Sequence, residues 1–160
     1  ARRGAPHLSL VRGNALTLPV RSASLSAVFC ECVLSLLPSS ENALRECYRV
    51  LKYDGYLVIT DIYWRKSAVH QPWEPTGTRG CLSGARDRDT LIRNLTAAGF
   101  SLSLWEDHSP LLKILAARLV WAGVSLHRWW GTDCAFYDNR RMMRPGYFLM
   151  IGRKRSLTNG

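Results

Sequence analysis

Three kinds of side chain in this 160-residue chain have the chemistry of a reactive site. The first are acids and bases. The run "YLVITD" reads as a buried strand that stops on Asp61, and a carboxylate at a strand end is placed to take a proton from a ligand held there. His70, Glu106, Asp107 and His108 stand behind it as further proton carriers. The second are the thiols Cys30, Cys32, Cys47, Cys81 and Cys134. Soft thiolates select soft, thiophilic centres. Cys30 and Cys32 have the spacing of one strand face, where packing is a commoner role than metal binding. Cys47 falls on the inner face of a predicted helix, and no metal is expected. The third are six tryptophans, several of them near irregular stretches where an aromatic wall would face a substrate.

These residues need elements to position them. "LSLVR" at 8–12 reads as a strand that breaks at Gly13-Asn14. "LSAVFCECVLSLLP" at 25–38 is apolar almost throughout, as suits a strand buried on both faces of a parallel sheet. Ser39 or Ser40 then caps a helix with Leu44, Cys47, Tyr48 and Leu51 inward and Glu41, Arg45, Glu46 and Arg49 outward. Asp54-Gly55 is the expected stop of that helix before the strand "YLVIT". A second helix carries Leu91, Leu95 and Ala98 on one face and stops at Gly99, and the strand "SLSLWE" follows. An apolar helix from about 110 to 126, read as buried, and a final strand "YFLMIGRKR" complete the series. The stretches 64–86 and 127–144 are irregular and too long for ordinary connections, which predicts substrate-side loops. Alternating strands and helices predict one α/β domain over 1–160, with a mostly parallel sheet flanked by helices.

Composition narrows the partners. A net charge of +10 and a pI near 9.9 favour anionic partners in general. The basic residues are spread along the chain and no nucleic-acid-binding motif is present, so nucleic acid is not the expected partner. The longest apolar stretch, 114–126, carries Arg118 and falls short of the roughly 20 residues a bilayer span requires, so no membrane is expected. An odd, scattered set of five cysteines suits reduced thiols in a cytoplasm.

Three blocks carry a family resemblance. "GNALTLP", "LSAVFCECVLSL" and "ALRECYRVLKYDGYLVITDIY" follow one another as in the middle of a class I S-adenosylmethionine-dependent methyltransferase. The chain most resembles arsenite methyltransferase-like enzymes: their "SNCVLNL" is similar to "CECVLSL" here, and their "FSDVY" to "ITDIY". Their "C-x-GA" followed by a helix ending in "AGF" is similar to "GCLSGARDRDTLIRNLTAAGF". Beyond "WEDHS" the resemblance thins, and TrsM-type methyltransferases, associated with redox proteins, become the comparison, which implies a redox-protein partner.

The resemblance implies S-adenosylmethionine as cofactor and a small-molecule methyl acceptor. It sets Asn14 where the family has an Asp that reaches the adenine amino group, with Ala15 and Leu16 beside the ring. Glu31, Cys32 and Val33 fall at the strand end that floors the cofactor pocket, and Asp61 and Tyr63 at the end that faces substrate. Cys81 matches the cysteine that holds a soft metalloid as a thiolate, with Cys134 as a downstream partner. Asp61, Cys81 and His70 are the catalytic candidates, while Tyr63, Cys81, Cys134 and His108 are the substrate candidates. The family's Gly-rich turn and ribose-holding acid have no counterpart here, so the expected fold is a partial Rossmann-like methyltransferase domain without its first two strands. The resemblance implies an enzyme, with activity expected of the intact domain rather than of such a piece alone, and the rival readings are a degenerate binding or scaffold module and a basic nucleic-acid-binding domain.

Overall fold

The computed structural model describes residues 9–65, 84–125 and 145–155. Its elements are β1 (Leu25–Glu31), a 3₁₀ turn (Leu34–Leu36), α1 (Ser40–Val50), β2 (Leu51–Trp64), α2 (Arg88–Ala97), β3 (Phe100–Asp107), α3 (Ser109–Trp121) and β4 (Pro145–Lys154). Ser39 caps α1, its hydroxyl accepting from the Asn42 N–H, with Glu41 in the first turn. Asp87 caps α2 in the same way, accepting from the Thr90 N–H at 2.9 Å. Gly99 ends that helix region at φ +98°, a conformation that favours glycine.

Asp54-Gly55 has a different role from the expected helix stop. The helix ends at Val50 and β2 begins at once, so the pair lies inside β2. Asp54 takes φ +62°, and the β1 register jumps there: Leu25 faces Leu51, while Ala27 faces Tyr56. A Cβ on Gly55 would come within 2.9 Å of the Lys52 carbonyl oxygen and 3.0 Å of that of Ser26. The left-handed Asp54, followed by a glycine with no room for a side chain, therefore absorbs the extra β2 residues in a bulge.

The sheet order is β1-β2-β4-β3. β1 pairs parallel with β2, and β4 runs antiparallel to both β2 and β3. Three of the four strands thus share one direction, although β4 intervenes between two of them. The C-terminal ends of β1, β2 and β3 gather with the N-terminal end of β4 at a single edge. In open α/β sheets this carboxyl edge is where ligands bind.

Leu44, Leu51, Leu57, Ile59, Leu95, Phe148 and Met150 form the centre of the core between the sheet and α1 with α2. Along β2, Leu57, Ile59 and Asp61 point into it, and Val58 and Thr60 point to the half-buried face. β1 is not buried on both faces as expected: Val28 and Cys30 lean on the core, but Phe29 is 67% exposed on the other side. The expected strand at 8–12 is also absent over its described residues, where Leu10 and Val11 are exposed and unladdered. An apolar run becomes a strand only beside a partner edge. α3 likewise departs from the buried helix read in the sequence. Leu112, Ala116 and Leu119 form a half-buried stripe, while Leu111, Ile114, Val120 and Trp121 are exposed. Among the described residues no helix is long and apolar enough to cross a membrane.

Candidate functional site

The carboxyl edge of the sheet collects most of the described candidates. Glu31 ends β1 and Cys32 follows it at φ +52°, a left-handed conformation uncommon for a residue with a Cβ. That rotation breaks the strand alternation, so Cys30 and Cys32 do not share a face. Cys30 is half-buried against the core; Cys32 is exposed. Its thiol lies 3.5 Å from the Tyr147 hydroxyl on β4, and its N–H donates to the Thr60 carbonyl oxygen at 2.8 Å. Thr60 also engages the Tyr147 hydroxyl. Burial first, then the nearby thiol, push the Tyr147 phenol above its ordinary value, so it stays protonated and able to donate.

Asp61 stands beside this group but faces inward. It is 1% exposed, and its carboxylate accepts from the Ser35 N–H at 2.8 Å, the Ser35 hydroxyl at 2.7 Å and the Ile62 N–H at 2.7 Å. Burial raises its pKa, against the hydrogen bonds from Ser35 and Ile62. The void next to it, lined by Ser35, Ser40, Gly84 and Arg86, is about 10 Å³. That is water-sized at most. An open, substrate-facing base was expected here, and the side chain is instead enclosed.

Tyr63 is also enclosed. Its ring is 6% exposed, set edge-on to Trp105 and Phe148, with its hydroxyl toward Asp107 and Ser109. Asp107 accepts from the Ser109 N–H and hydroxyl and lies 3.9 Å from Arg65. Burial alone would raise the Asp107 pKa, but these donors win and hold it below the usual range. His108 opens α3: its N–H donates to the Tyr147 carbonyl at 2.7 Å and its Nε2 meets Glu106 at 2.9 Å. Tyr147 thus meets His108 through its backbone and Cys32 through its hydroxyl, and the His108 ring turns to Glu106.

The cofactor candidates divide. Ala15 and Val33 line one apolar cleft of about 140 Å³ together with Phe29, Cys30 and Leu37. Asn14 and Leu16 form a local turn, the Asn14 side-chain oxygen accepting from the Leu16 N–H at 2.9 Å. Glu46 and Arg49, expected to face solvent, hold the chain after that turn: Glu46 accepts from the Leu18 N–H, and Arg49 donates to the Leu18 and Val20 carbonyls. Glu31 is exposed beyond the cleft. His70, Cys81 and Cys134 lie outside the described residues.

Two contributors were missed in the sequence. Ser35 left a trace as the lone polar residue in "VLSLL". Tyr147 left none, because only the β2–β4 pairing brings it to Cys32.

Residues 1–59 match a family described as methyltransferase domain. An arsenite methyltransferase of Halobacterium salinarum is 30% identical over 101 residues, covering 62% of this chain and 26% of that protein. Among solved structures, the cyclase SpnF superposes with a TM-score of 0.63 at 25% identity, over 89% of this chain and 55% of its own. CrArsM, an arsenic (III) S-adenosylmethionine methyltransferase from Chlamydomonas reinhardtii, superposes with a TM-score of 0.54 at 19% identity, over 92% and 44%. The chain thus spans about a quarter of the length of the curated relative from Halobacterium.

Proposed function

We propose that this chain, a class I methyltransferase domain of arsenite-methyltransferase-like sequence, serves S-adenosylmethionine-dependent methyl transfer to a small, thiophilic acceptor. The observation that carries the proposal is the exposed Cys32 thiol beside the Tyr147 hydroxyl at the carboxyl edge of the sheet. A thiolate binds a soft trivalent centre and leaves the lone pair of that centre free. In arsenite the thiol proton leaves with a displaced hydroxide as water, so no other base is required for the binding step.

S-adenosylmethionine, when bound, supplies a sulfonium methyl group that is already electrophilic. The residues of the chain then hold and orient. Ala15, Phe29 and Val33 give apolar walls that suit one face of an adenine ring, and the 140 Å³ cleft is too small to take more than part of such a ligand. The Tyr147 hydroxyl, 3.5 Å from the Cys32 sulfur, is placed to donate to it once the thiol proton has left, and so to fix the direction in which the bound acceptor points. His108, which donates its N–H to the Tyr147 carbonyl, anchors the start of β4 on α3.

The proposal is tested by incubating the protein with methyl-labelled S-adenosylmethionine, arsenite and glutathione, then separating arsenic species by mass spectrometry. Labelled methylarsenic that disappears in Cys32→Ser supports the reading. Methylation that survives Cys32→Ser removes Cys32 from it. Binding of S-adenosylmethionine with no transfer to arsenite would favour a binding module, since one fold hosts more than one function.

A further inference from the structure

We propose that Asp61 is a positioning residue: through Ser35 it holds the turn that swings the Cys32 thiol off the core face of β1 and out to the carboxyl edge. The inference rests on the reading of Cys32 as the acceptor-holding thiol, and it assigns Asp61 a role other than proton acceptor.

Two neighbours in β2 hold the two ends of one short segment. At the front, the Thr60 carbonyl accepts from the Cys32 N–H at 2.8 Å. At the back, Asp61 accepts from both the N–H and the hydroxyl of Ser35. Between these anchors the chain leaves β1, passes through Cys32 at φ +52° and closes the 3₁₀ turn, with the Leu36 N–H donating to Val33 and the Leu37 N–H to Leu34. A left-handed backbone at a residue with a Cβ persists where its surroundings over-determine it. Here the over-determination is visible atom by atom.

The direction of the effect follows from strand geometry. Side chains alternate with a period of two, so a β1 that simply continued would place residue 32 on the face of Val28 and Cys30. Both of those lean on the core. The left-handed step at Cys32 reverses that outcome and exposes the thiol. Ser35 is clamped from its other side as well: a Cβ added to Gly84 would stand 1.9 Å from the Ser35 carbonyl oxygen, so the chain entering α2 lies directly against the turn.

Burying a carboxylate among uncharged donors is a poor way to gain stability alone, since an apolar replacement of similar shape is often as good. What the carboxylate adds is geometry. It has two oxygens in fixed relation, and Ser35 offers a backbone and a side-chain donor that match both only when the turn is closed.

The test is the rate at which iodoacetamide alkylates Cys32 in the folded protein, read by peptide mass spectrometry, with buried Cys47 as the control whose labelling would report global unfolding. The variants are Ser35→Ala, which removes one of the two bonds and keeps the backbone donor, and Asp61→Asn, which removes an acceptor. Released from the turn, Cys32 spends time on the inner face. Its alkylation should slow by about threefold or more in Ser35→Ala, and further in Asp61→Asn, for hydrogen bonds of ordinary strength. Native or faster alkylation of Cys32 in Ser35→Ala overturns the proposal, and that variant decides alone where Asp61→Asn does not fold. No methyl acceptor enters the measurement. Slowed alkylation with no arsenite methylation keeps the positioning role and sinks the functional reading, and the opposite pair of results does the reverse.

Discussion

Cys32 and Tyr147, 115 residues apart in the chain, meet thiol to hydroxyl at 3.5 Å. The contact depends on two sheet pairings at once: β1 on β2, and β2 on β4. It makes Cys32 the described cysteine with both exposure and a polar partner at the ligand edge.

The described thiols should therefore separate sharply in reactivity. Burial, reinforced by Asp61, pushes the Cys30 thiol up to about 11, and burial pushes Cys47 up to about 12. Both remain protonated through neutral and mildly alkaline pH, and the thiolate is the nucleophile. Brief native alkylation should label Cys32, with Cys30 and Cys47 labelled only after denaturation. Peptide mapping checks this; native labelling of Cys47 as fast as Cys32 would contradict the burial seen here.

Tyr147→Phe tests the donor. The ring stays and the hydroxyl goes, so stability should change by no more than about 1 kcal/mol. If Tyr147 orients the acceptor at Cys32, kcat/KM for arsenite methylation should fall about tenfold, equivalent to about 1.4 kcal/mol of barrier. An unchanged kcat/KM would leave the hydroxyl a packing contact of β4.

Gly84→Ala should be costly for a steric reason. The new Cβ would meet the Ser35 carbonyl oxygen at 1.9 Å, a backbone atom that moves only with its turn. A loss of about 2 kcal/mol or more is expected in urea unfolding, the range for forced backbone shifts in packed regions. A neutral substitution would mean that residues 84–85 do not press on the turn.

Lys154 offers a pH test. Its side chain is buried, and its Nζ donates to the Tyr48 carbonyl at 2.6 Å and the Leu51 carbonyl at 2.8 Å, closing the end of α1. Desolvation lowers its pKa below the ordinary 10.5. The unfolded chain therefore binds the proton more tightly, and stability must rise as pH climbs from the folded value toward 10.5. The difference between wild type and Lys154→Met, which lacks the proton, isolates this rise. Lys154→Met should also lose about 1 to 3 kcal/mol at neutral pH from two unpaired carbonyls. A wild-type minus variant difference that falls with pH over this window would refute the sign.

Much of the architecture was legible because it is local. The Ser39 cap, the inward stripe of Leu44, Cys47 and Tyr48, the Leu91–Leu95 face and the Gly99 stop all follow from 3.6-residue periodicity and capping chemistry, and the structure has each of them, although Leu51, expected on the same stripe, begins β2. The bulge at Asp54-Gly55 was misread as a helix stop because an Asp-Gly pair serves both uses, and here Asp54 takes the left-handed conformation inside a strand. The exposed outer faces of β1 and α3 were misread because an apolar run reports preference for burial and says nothing of whether a neighbour covers it.

The sequence by itself determined the residue types at the ligand edge, the strand that ends on Asp61, and the likeness to arsenite methyltransferases in block order and spacing. Tertiary structure alone decided what those residues do. Whether Asp61 opens to a substrate or closes on Ser35, and whether Cys32 points in or out, depends on backbone rotation and on partners far along the chain. Periodicity assumes an unbroken strand. At Cys32 the strand is broken by contacts from β2, and only a folded sheet brings those contacts to bear.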